Sequence, residues 1–357
     1  MEKEANNKVL LIAIKGSSFV LKDIELLKRN HYRLKTFFLG KTKGLPMIYN
    51  QIRLFFWLLI HGMTTSSIII WFVDYHAFFP ALFGKVFKKK VLTIVGGFDA
   101  VSIPSIKFGI FYKNNFRARV ARHVYKSADY ILPVHESLIE GVNFFADPTG
   151  QGYKTGVKSF VKKIRAEFLS LPTVYDPEFW KPLSIGQRLR AVATIASVGD
   201  MKTFQRKGLD VIFEIAKVMQ DVDFTIIGIK NSIYSELLEL APSNVHIIKF
   251  IPQEELPSML SRHKVYIQLS LSEGLPNALC EAMLCQCIPV GSDVNGIPYA
   301  IGDTGYILKE RNKDHAIDLV LKALESEEEK GERARQRIMT LFPLKLREQK
   351  LLKILNR

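Results

Sequence analysis

The residues best suited to chemistry lie together at positions 270–283, with the sequence SLSEGLPNALCEAM. A strand pattern ends there, Gly274 permits close backbone approach, and Pro276 stands where a helix would begin, where its missing N–H costs nothing. Backbone amides at a helix N-terminus suit phosphate groups. Glu273 and Glu281 flank this point, and carboxylates beside an anion site suit the hydroxyl groups next to it. The stretch therefore predicts a site for a nucleoside diphosphate sugar.

A simpler interpretation is a solvated helix start, where an acidic residue stabilises the helix by about 0.3–1 kcal/mol. That accounts for Glu273. It does not account for Glu281, which lies within an otherwise apolar helix and needs a partner or a ligand there.

The elements that would position these residues alternate regularly. Strand patterns occur at 193–198, 224–227, 245–249, 265–269 and 288–291, separated by helical patterns at 208–219, 233–240, 254–262 and 277–285. This alternation predicts a parallel sheet covered by helices on both faces. The N-terminal half repeats it less clearly, with strands at 8–14, 68–73, 91–95, 130–134 and 166–171, and Gly16 in the first strand-to-helix loop.

Three prolines, Pro172, Pro177 and Pro182, interrupt the pattern and predict a linker. We therefore expect an α/β chain with two Rossmann-like, doubly wound domains facing a central cleft, where open α/β sheets bind ligands. The first domain covers 1–171, the linker 172–190 and the second domain 191–340. Residues 341–357 form a C-terminal helix that is expected to pack back on the first domain.

Three other segments affect the choice of protein class. Residues 54–72 are strongly apolar but are interrupted at 61–67, which predicts a core helix followed by a buried strand, with a transmembrane helix as the alternative. Cys280, Cys285 and Cys287 predict buried core thiols in a reducing compartment rather than a zinc site. Residues 1–7 do not resemble a signal peptide.

The net charge of +15 is confined to the N-terminal half, because residues 1–170 hold 26 basic and 11 acidic residues and the remainder holds 24 of each. Aromatic and basic residues are interleaved at 83–90, 107–119 and 158–163. This pattern favours contact with an anionic membrane surface. Nucleic acid is disfavoured because no recognisable module for it is present, and a merely soluble basic surface remains the alternative.

The sequence resembles the retaining GT-B glycosyltransferases of the family-four type (glycosyl transferases group 1) over about residues 125–326. The resemblance rests on two glutamates separated by seven residues, which flank Gly-Leu-Pro, the second of them beginning Glu-Ala-Met. It also rests on the segment 197–208, the strand 225–228, the linker 171–179 and the segment 125–134. The resemblance implies a GT-B fold, in which the first domain is on the acceptor side and the second domain binds the sugar donor.

Residue roles follow from the same resemblance. It implies that Glu273 contacts sugar hydroxyls as a catalytic residue, that Glu281 binds the ribose, and that Lys207 pairs with the diphosphate. The backbone around the sugar and diphosphate would come from Gly274, Leu275, Pro276 and Asn277, and Gly16 is a further candidate for donor binding. Such enzymes need no metal and no cofactor, because cationic groups and the helix N-terminus neutralise the leaving diphosphate.

The chain departs from the family at three positions, of which Thr173, where the linker commonly has Asn, is given no weight. Asp200 stands where the family often has Arg, so that Lys202 or Arg206 would have to supply a diphosphate contact. Gly96 stands where the family often has His, with His76 or His135 as weak substitutes. Asp99 is either a turn residue or an acceptor-side catalytic group, and the sequence leaves both alternatives open.

These observations predict a retaining, metal-independent glycosyltransferase in cell-surface polysaccharide, lipopolysaccharide or glycolipid synthesis. Its partners would be a nucleotide-sugar donor, a glycan or lipid-linked acceptor and an anionic membrane surface. We expect it to be cytoplasmic and peripheral on the inner face of the membrane. The alternative is a non-catalytic nucleotide-sugar or glycan-binding protein on the same scaffold, which the residues at 96 and 200 make worth testing.

Overall fold

The computed structural model describes residues 7–40, 44–183 and 188–357. Residues 1–6, part of the segment considered for a signal peptide, and linker residues 184–187 lie outside these ranges. The chain divides into two compact units. Unit 1 comprises residues 1–142, 154–173 and 347–357, and unit 2 comprises 143–153 and 174–346.

Unit 1 contains a six-stranded sheet in the order β2-β1-β3-β4-β5-β8, with every neighbouring pair parallel. The order reverses direction between β1 and β3. Its strands are β1 (Lys8–Ala13), β2 (Arg33–Phe38), β3 (Ser67–Trp71), β4 (Lys90–Val95), β5 (Tyr130–Pro133) and β8 (Glu167–Phe168). A separate two-stranded ribbon is formed by β6 (Gly141–Asn143) and β7 (Tyr153–Thr155), of which Asn143 and Tyr153 are assigned to unit 2. The helices of unit 1 are α1 (Ser18–Arg29), α2 (Gly44–Gly62), α3 (Phe78–Val86), α4 (Phe116–Ser127) and α5 (Val157–Phe160).

Unit 2 contains a second parallel six-stranded sheet, in the order β11-β10-β9-β12-β13-β14. The order in which the strands are added reverses between β9 and β12, as in a dinucleotide-binding sheet. The strands are β9 (Leu189–Val198), β10 (Asp223–Ile229), β11 (Val245–Lys249), β12 (His263–Gln268), β13 (Ile288–Ser292) and β14 (Tyr306–Leu308). The helices are α6 (Met201–Arg206), α7 (Leu209–Val218), α8 (Asn231–Leu240), α9 (Leu256–Arg262), α10 (Asn277–Leu284), α11 (Ile297–Ile301), α12 (Lys313–Glu325) and α13 (Glu329–Leu341).

The last helix, α14 (Leu344–Leu355), belongs to unit 1 from Arg347 onward. Arg347 is buried and donates to both carboxylate oxygens of Asp23 on α1, at 2.6 and 2.7 Å. Its guanidinium also donates to the carbonyl oxygens of Leu171 and Pro172. Arg347 therefore connects α14 with α1 through a buried ion pair, and with residues 171–172 through hydrogen bonds.

Two sequence expectations differ from the structure. Residues 143–153, which the sequence placed in the first domain, group with unit 2, because the buried amide of Asn143 donates to the carbonyl oxygen of Leu271 at 2.8 Å. The expected core helix at 54–60 lies in the second half of α2, and only Leu54, Leu58 and Gly62 of α2 are buried. Hydrophobicity alone does not distinguish a buried helix from one with an exposed apolar face. The strand that follows, β3, is fully buried as predicted.

The three thiols are buried, as predicted. Burial raises the pKa of Cys280 to about 12 and that of Cys287 to about 11. Across the described ranges, no helix is long and apolar enough to cross a membrane.

Candidate functional site

The candidate site in unit 2 lies at the carboxyl ends of β9 and β12, where the strand order reverses direction. Open α/β sheets bind ligands at such points. The loop and helix after β9 bring Lys207, and the loop after β12 brings Glu273. Lys207 Nζ lies 2.5 Å from Glu273 Oε1, and the two side chains are only 20% and 14% exposed. The fold thus joins two residues that are 66 positions apart in the sequence.

Gly208 allows these two loops to meet. Its φ is +72°, and a Cβ at this position would lie 2.1 Å from the carbonyl oxygen of Leu269. Next to it, the Leu271 amide donates to the Arg206 carbonyl oxygen at 2.8 Å. A residue with a side chain would force the two segments apart, so the placement of Lys207 depends on this glycine.

The electrostatics of the site keep Glu273 ionised. Burial acts to raise the pKa of this carboxyl group, but the nearby charges of Lys207 and Arg206 outweigh it, and the net pKa is lowered. The site is therefore a partly buried carboxylate with two cations beside it. Such an arrangement can accept hydrogen bonds from hydroxyl groups and offer cationic groups to a phosphate.

Helix α10 begins directly after the loop that carries Glu273. Pro276 precedes it, and its carbonyl oxygen accepts from the Cys280 amide. The buried Tyr175 donates its hydroxyl proton to Asn277 Oδ1 at 2.8 Å. The loop itself is held from another side, since the Gly296 amide donates to the Gly274 carbonyl oxygen at 3.1 Å.

Glu281 lies on the same helix and is half-buried. Burial raises the pKa of Tyr266, and the charges of Glu281 and Glu273 raise it further. Leu275 and Pro276 are buried, and Asn277 is half-buried. Unit 2 therefore holds Lys207, Glu273, the 274–277 backbone and Glu281 on the switch-point loops and the helix that follows them.

Asp200, the residue that departs from the family pattern, caps helix α6. Its side chain accepts from the Thr203 amide at 2.7 Å. This hydrogen bond lowers the pKa of the Asp200 carboxyl group. On the same helix, Lys202 is exposed, whereas Arg206 is half-buried and its charge lowers the pKa of Glu273.

In unit 1, the fully buried Asp99 lies in the turn that follows β4. Its Oδ1 accepts from the amides of Gly96 and Gly97 at 3.1 and 3.0 Å, and its Oδ2 accepts from the Val73 amide at 3.0 Å. Burial raises the pKa of Asp99 to about 6, against the effect of these hydrogen bonds. Both oxygens thus hold the backbone at the ends of two neighbouring strands.

Gly96 lies against an aromatic ring. A Cβ at this position would be 2.0 Å from Cε1 of Phe72, which itself has a φ of +61°. The Phe72 ring also meets Phe19 edge-on, with centroids 5.6 Å apart. An aromatic side chain therefore fills the space that a residue larger than glycine would need.

The remaining candidate residues in unit 1 are Gly16, His76 and His135. Gly16 is exposed in the loop after β1 and has a negative φ, and a Cβ at this position would lie 3.3 Å from Cδ2 of Leu21. His76 is buried and lies 3.1 Å from the Trp71 carbonyl oxygen, and burial lowers its pKa. His135 pairs with Ser137 at 2.9 Å, and burial lowers its pKa as well.

Sequence reasoning did not identify two supports of the site. Tyr175 was assigned to the linker, although its hydroxyl group positions Asn277. The turn at Asn295 and Gly296 holds the Gly274 peptide, and Asn295 has a φ of +48°. The Asn-Gly pair after a predicted strand was the available signal for this turn.

Comparison with known proteins finds a family model that matches most of unit 2. Residues 193–338 match the family model described as Glycosyl transferases group 1. N-acetyl-alpha-D-glucosaminyl L-malate synthase of Bacillus anthracis is 30% identical over 143 residues, which cover 37% of this chain and 37% of that protein. The chain thus spans little more than a third of that curated relative.

Two solved structures resemble the chain over almost its full length. Sucrose-phosphate synthase from Thermosynechococcus elongatus has a TM-score of 0.73 at 12% identity, with 98% of each chain covered. The Anabaena protein HepE in complex with UDP-glucose has a TM-score of 0.69 at 11% identity, covering 98% of this chain and 99% of that one. These likenesses establish the fold as GT-B.

Proposed function

The chain carries a glycosyl transferases group 1 domain within a GT-B fold, and from this premise we propose that it is a retaining glycosyltransferase. It moves a sugar from a nucleotide-diphosphate sugar to an acceptor hydroxyl group. The observation that carries the proposal is the Lys207–Glu273 pair at the switch point of unit 2, beside the start of α10.

The proposed roles use the chemistry of these groups. Lys207 and the first amides of α10 bind the diphosphate, with Arg206 adding positive charge. Glu273 accepts hydrogen bonds from the sugar hydroxyls, and Glu281, on the following helix, accepts them from the ribose. The 274–277 backbone lies along the sugar and the diphosphate. Fixed cationic groups that stabilise the leaving diphosphate are the kind of preorganised electrostatics that lowers a barrier.

Two features of the chemistry are part of the proposal. The leaving diphosphate is neutralised by side chains and the helix N-terminus, so that transfer proceeds without a metal or cofactor. Retention follows from attack on the face that the diphosphate leaves, with the diphosphate accepting the proton of the acceptor hydroxyl group. The buried, backbone-bound carboxyl of Asp99 positions the loops after β3 and β4 in unit 1.

We further propose that the acceptor is a glycan or a lipid-linked molecule at an anionic membrane surface, in polysaccharide, lipopolysaccharide or glycolipid synthesis on the cytoplasmic face. The excess of basic residues in the N-terminal half supports this part. Nucleic acid is not a proposed partner.

The test is transfer from a panel of nucleoside diphosphate sugars in the presence of membrane extract, by wild type and by Glu273→Ala. We expect wild type to release the nucleoside diphosphate and the variant to lose most turnover. Sugar-donor binding without transfer or hydrolysis would instead support the non-catalytic binding protein. Unchanged turnover and affinity in Glu273→Ala would remove the site assignment.

A further inference from the structure

Helix α2 exposes an unusual number of large apolar side chains. Of the 25 exposed large apolar residues in the described chain, nine lie on this helix or directly after it. We call them the outer face of α2: Leu45, Ile48, Tyr49, Ile52, Phe55, Phe56, Leu59, Ile60 and Met63. Their exposed fractions range from 41% to 82%. Contiguous apolar surface of this kind marks an interaction site.

The spacing of the outer face follows the helical repeat. Its members recur every three or four residues, so at about 100° per residue they cover one side of the helix. The opposite side carries the buried residues Leu54, Leu58 and Gly62. A Cβ on Gly62 would lie 2.5 Å from the Phe83 ring on α3. The helix is thus attached to unit 1 along its inner side and leaves an apolar side uncovered.

Positive charge surrounds the C-terminal end of this helix. Lys8 donates to Thr64 Oγ1 at 2.6 Å, and Lys89 donates to the Met63 carbonyl oxygen at 2.8 Å. Burial lowers the pKa of His61, and the charges of Lys8 and Lys35 lower it further. Helix α2 itself has no acidic residue. An apolar face bordered by cations complements an anionic bilayer, where acyl chains lie beneath negatively charged headgroups.

We propose that the outer face of α2 inserts into the interfacial region of an anionic lipid bilayer. Lys8 and Lys89, which lie beside the C-terminal end of the helix, then contact the headgroup phosphates. A second copy of this chain fits less well, because α2 has no acidic residue that could pair with these cations. This inference rests on the membrane part of the proposed function and specifies which surface makes the contact. It extends the basic segment 83–90, which reaches the end of α2 through Lys89.

The experiment is co-sedimentation of the full chain, without any sugar donor, with vesicles of phosphatidylcholine alone or mixed with phosphatidylglycerol. The test variant is the double substitution Ile52→Glu and Ile60→Glu, at residues 51% and 72% exposed. The matched control is Leu240→Glu with Phe250→Glu in unit 2, at residues 51% and 82% exposed. Thermal unfolding of both variants checks that they fold.

We expect wild type and control to bind the anionic vesicles and to bind neutral vesicles only weakly. The α2 variant should lose roughly tenfold or more in affinity for the anionic vesicles. Equal binding by the α2 variant and the control would overturn the proposal, as would no binding by wild type at low salt. A wild-type dimer that the α2 variant dissociates, with no vesicle binding, would overturn it in favour of a second copy. Because no sugar donor is present, these outcomes are independent of transfer activity.

A second readout separates insertion from surface adsorption. Trp71 and Trp180 are 1% exposed, whereas Trp57 lies half-buried on α2. Brominated acyl chains should therefore quench mainly Trp57 when the helix enters the bilayer. Vesicle binding without quenching would exclude insertion of the outer face.

Discussion

Lys207 Nζ lies 2.5 Å from Glu273 Oε1, so the two charged residues proposed to recognise the sugar donor are paired with each other. A ligand with a diphosphate beside sugar hydroxyls would meet both charges at once, the cation on the phosphate side and the carboxylate on the hydroxyl side. The relationship makes the site testable from either residue.

Replacing Lys207 with Met should weaken nucleotide-sugar binding by about tenfold or more, because a charge-assisted contact to the phosphate is lost. Isothermal titration with the sugar donor measures this change. The control is Lys217→Met, whose partner Glu214 lies in an exposed pair. Equal affinities for wild type and Lys207→Met would exclude a diphosphate role for this residue.

The same variant should alter acid stability. The pKa of Glu273 is lowered in the folded protein, so its ionised form contributes stability above the unfolded value of 4.5, and this contribution is lost as the pH falls through the folded pKa. Without Lys207 the lowering should shrink. Urea unfolding at neutral and acid pH should therefore show a smaller loss of stability on acidification in the variant than in wild type.

Gly208→Ala should cost more stability than Gly150→Ala. Both glycines have similar φ values, +72° and +74°, but only Gly208 has an atom within 3 Å of the added Cβ. The backbone cost of about 1–2 kcal/mol is common to both, and the contact with Leu269 should add about 1–3 kcal/mol. Urea unfolding measures the difference, and equal costs would show that the loop moves freely away from β12.

Asp99→Asn should destabilise the protein by about 1–3 kcal/mol. In wild type the carboxylate oxygens accept from backbone N–H groups, and in the variant the Asn side-chain NH₂ would face one of these donors instead. Urea unfolding with the exposed Asp221→Asn as control measures this. A variant as stable as the control would mean that the turn does not depend on the carboxyl group.

The Asp99 carboxyl should also affect how the free energy of unfolding depends on pH. Burial raises its folded pKa to about 6 from 3.8, so the stability that it contributes is fully present below pH 3.8 and is lost as the pH rises through about 6. The stability difference between wild type and Asp99→Asn should therefore shrink across that window. A difference that grows with pH would indicate a lowered pKa.

Arg347→Met should cost about 3–5 kcal/mol, because it leaves the Asp23 carboxylate buried without its charged partner. Arg333→Met removes one member of an exposed ion pair, at 53% and 71% exposure, and should cost less than about 1 kcal/mol. Thermal unfolding compares the two variants. Similar costs would show that α14 is held on unit 1 by its apolar contacts alone.

Much of unit 2 could be predicted because its signals are local. The strand Val245–Lys249 has the bounds that the alternating pattern predicts, and α10 begins at Asn277, directly after Pro276. In unit 1, β2 was not predicted, because its polar and apolar residues give a weak pattern on an edge strand.

The sequence alone determined the alternation of strands and helices, and with it the parallel sheets and the motif at 270–283. These properties depend on residues close together in the chain. Only the tertiary structure decided that Lys207 pairs with Glu273, that Phe72 fills the space beside Gly96, and that α2 keeps an apolar face uncovered. Such facts depend on which distant segments pack together, and hydrophobic periodicity does not specify the partner of a face.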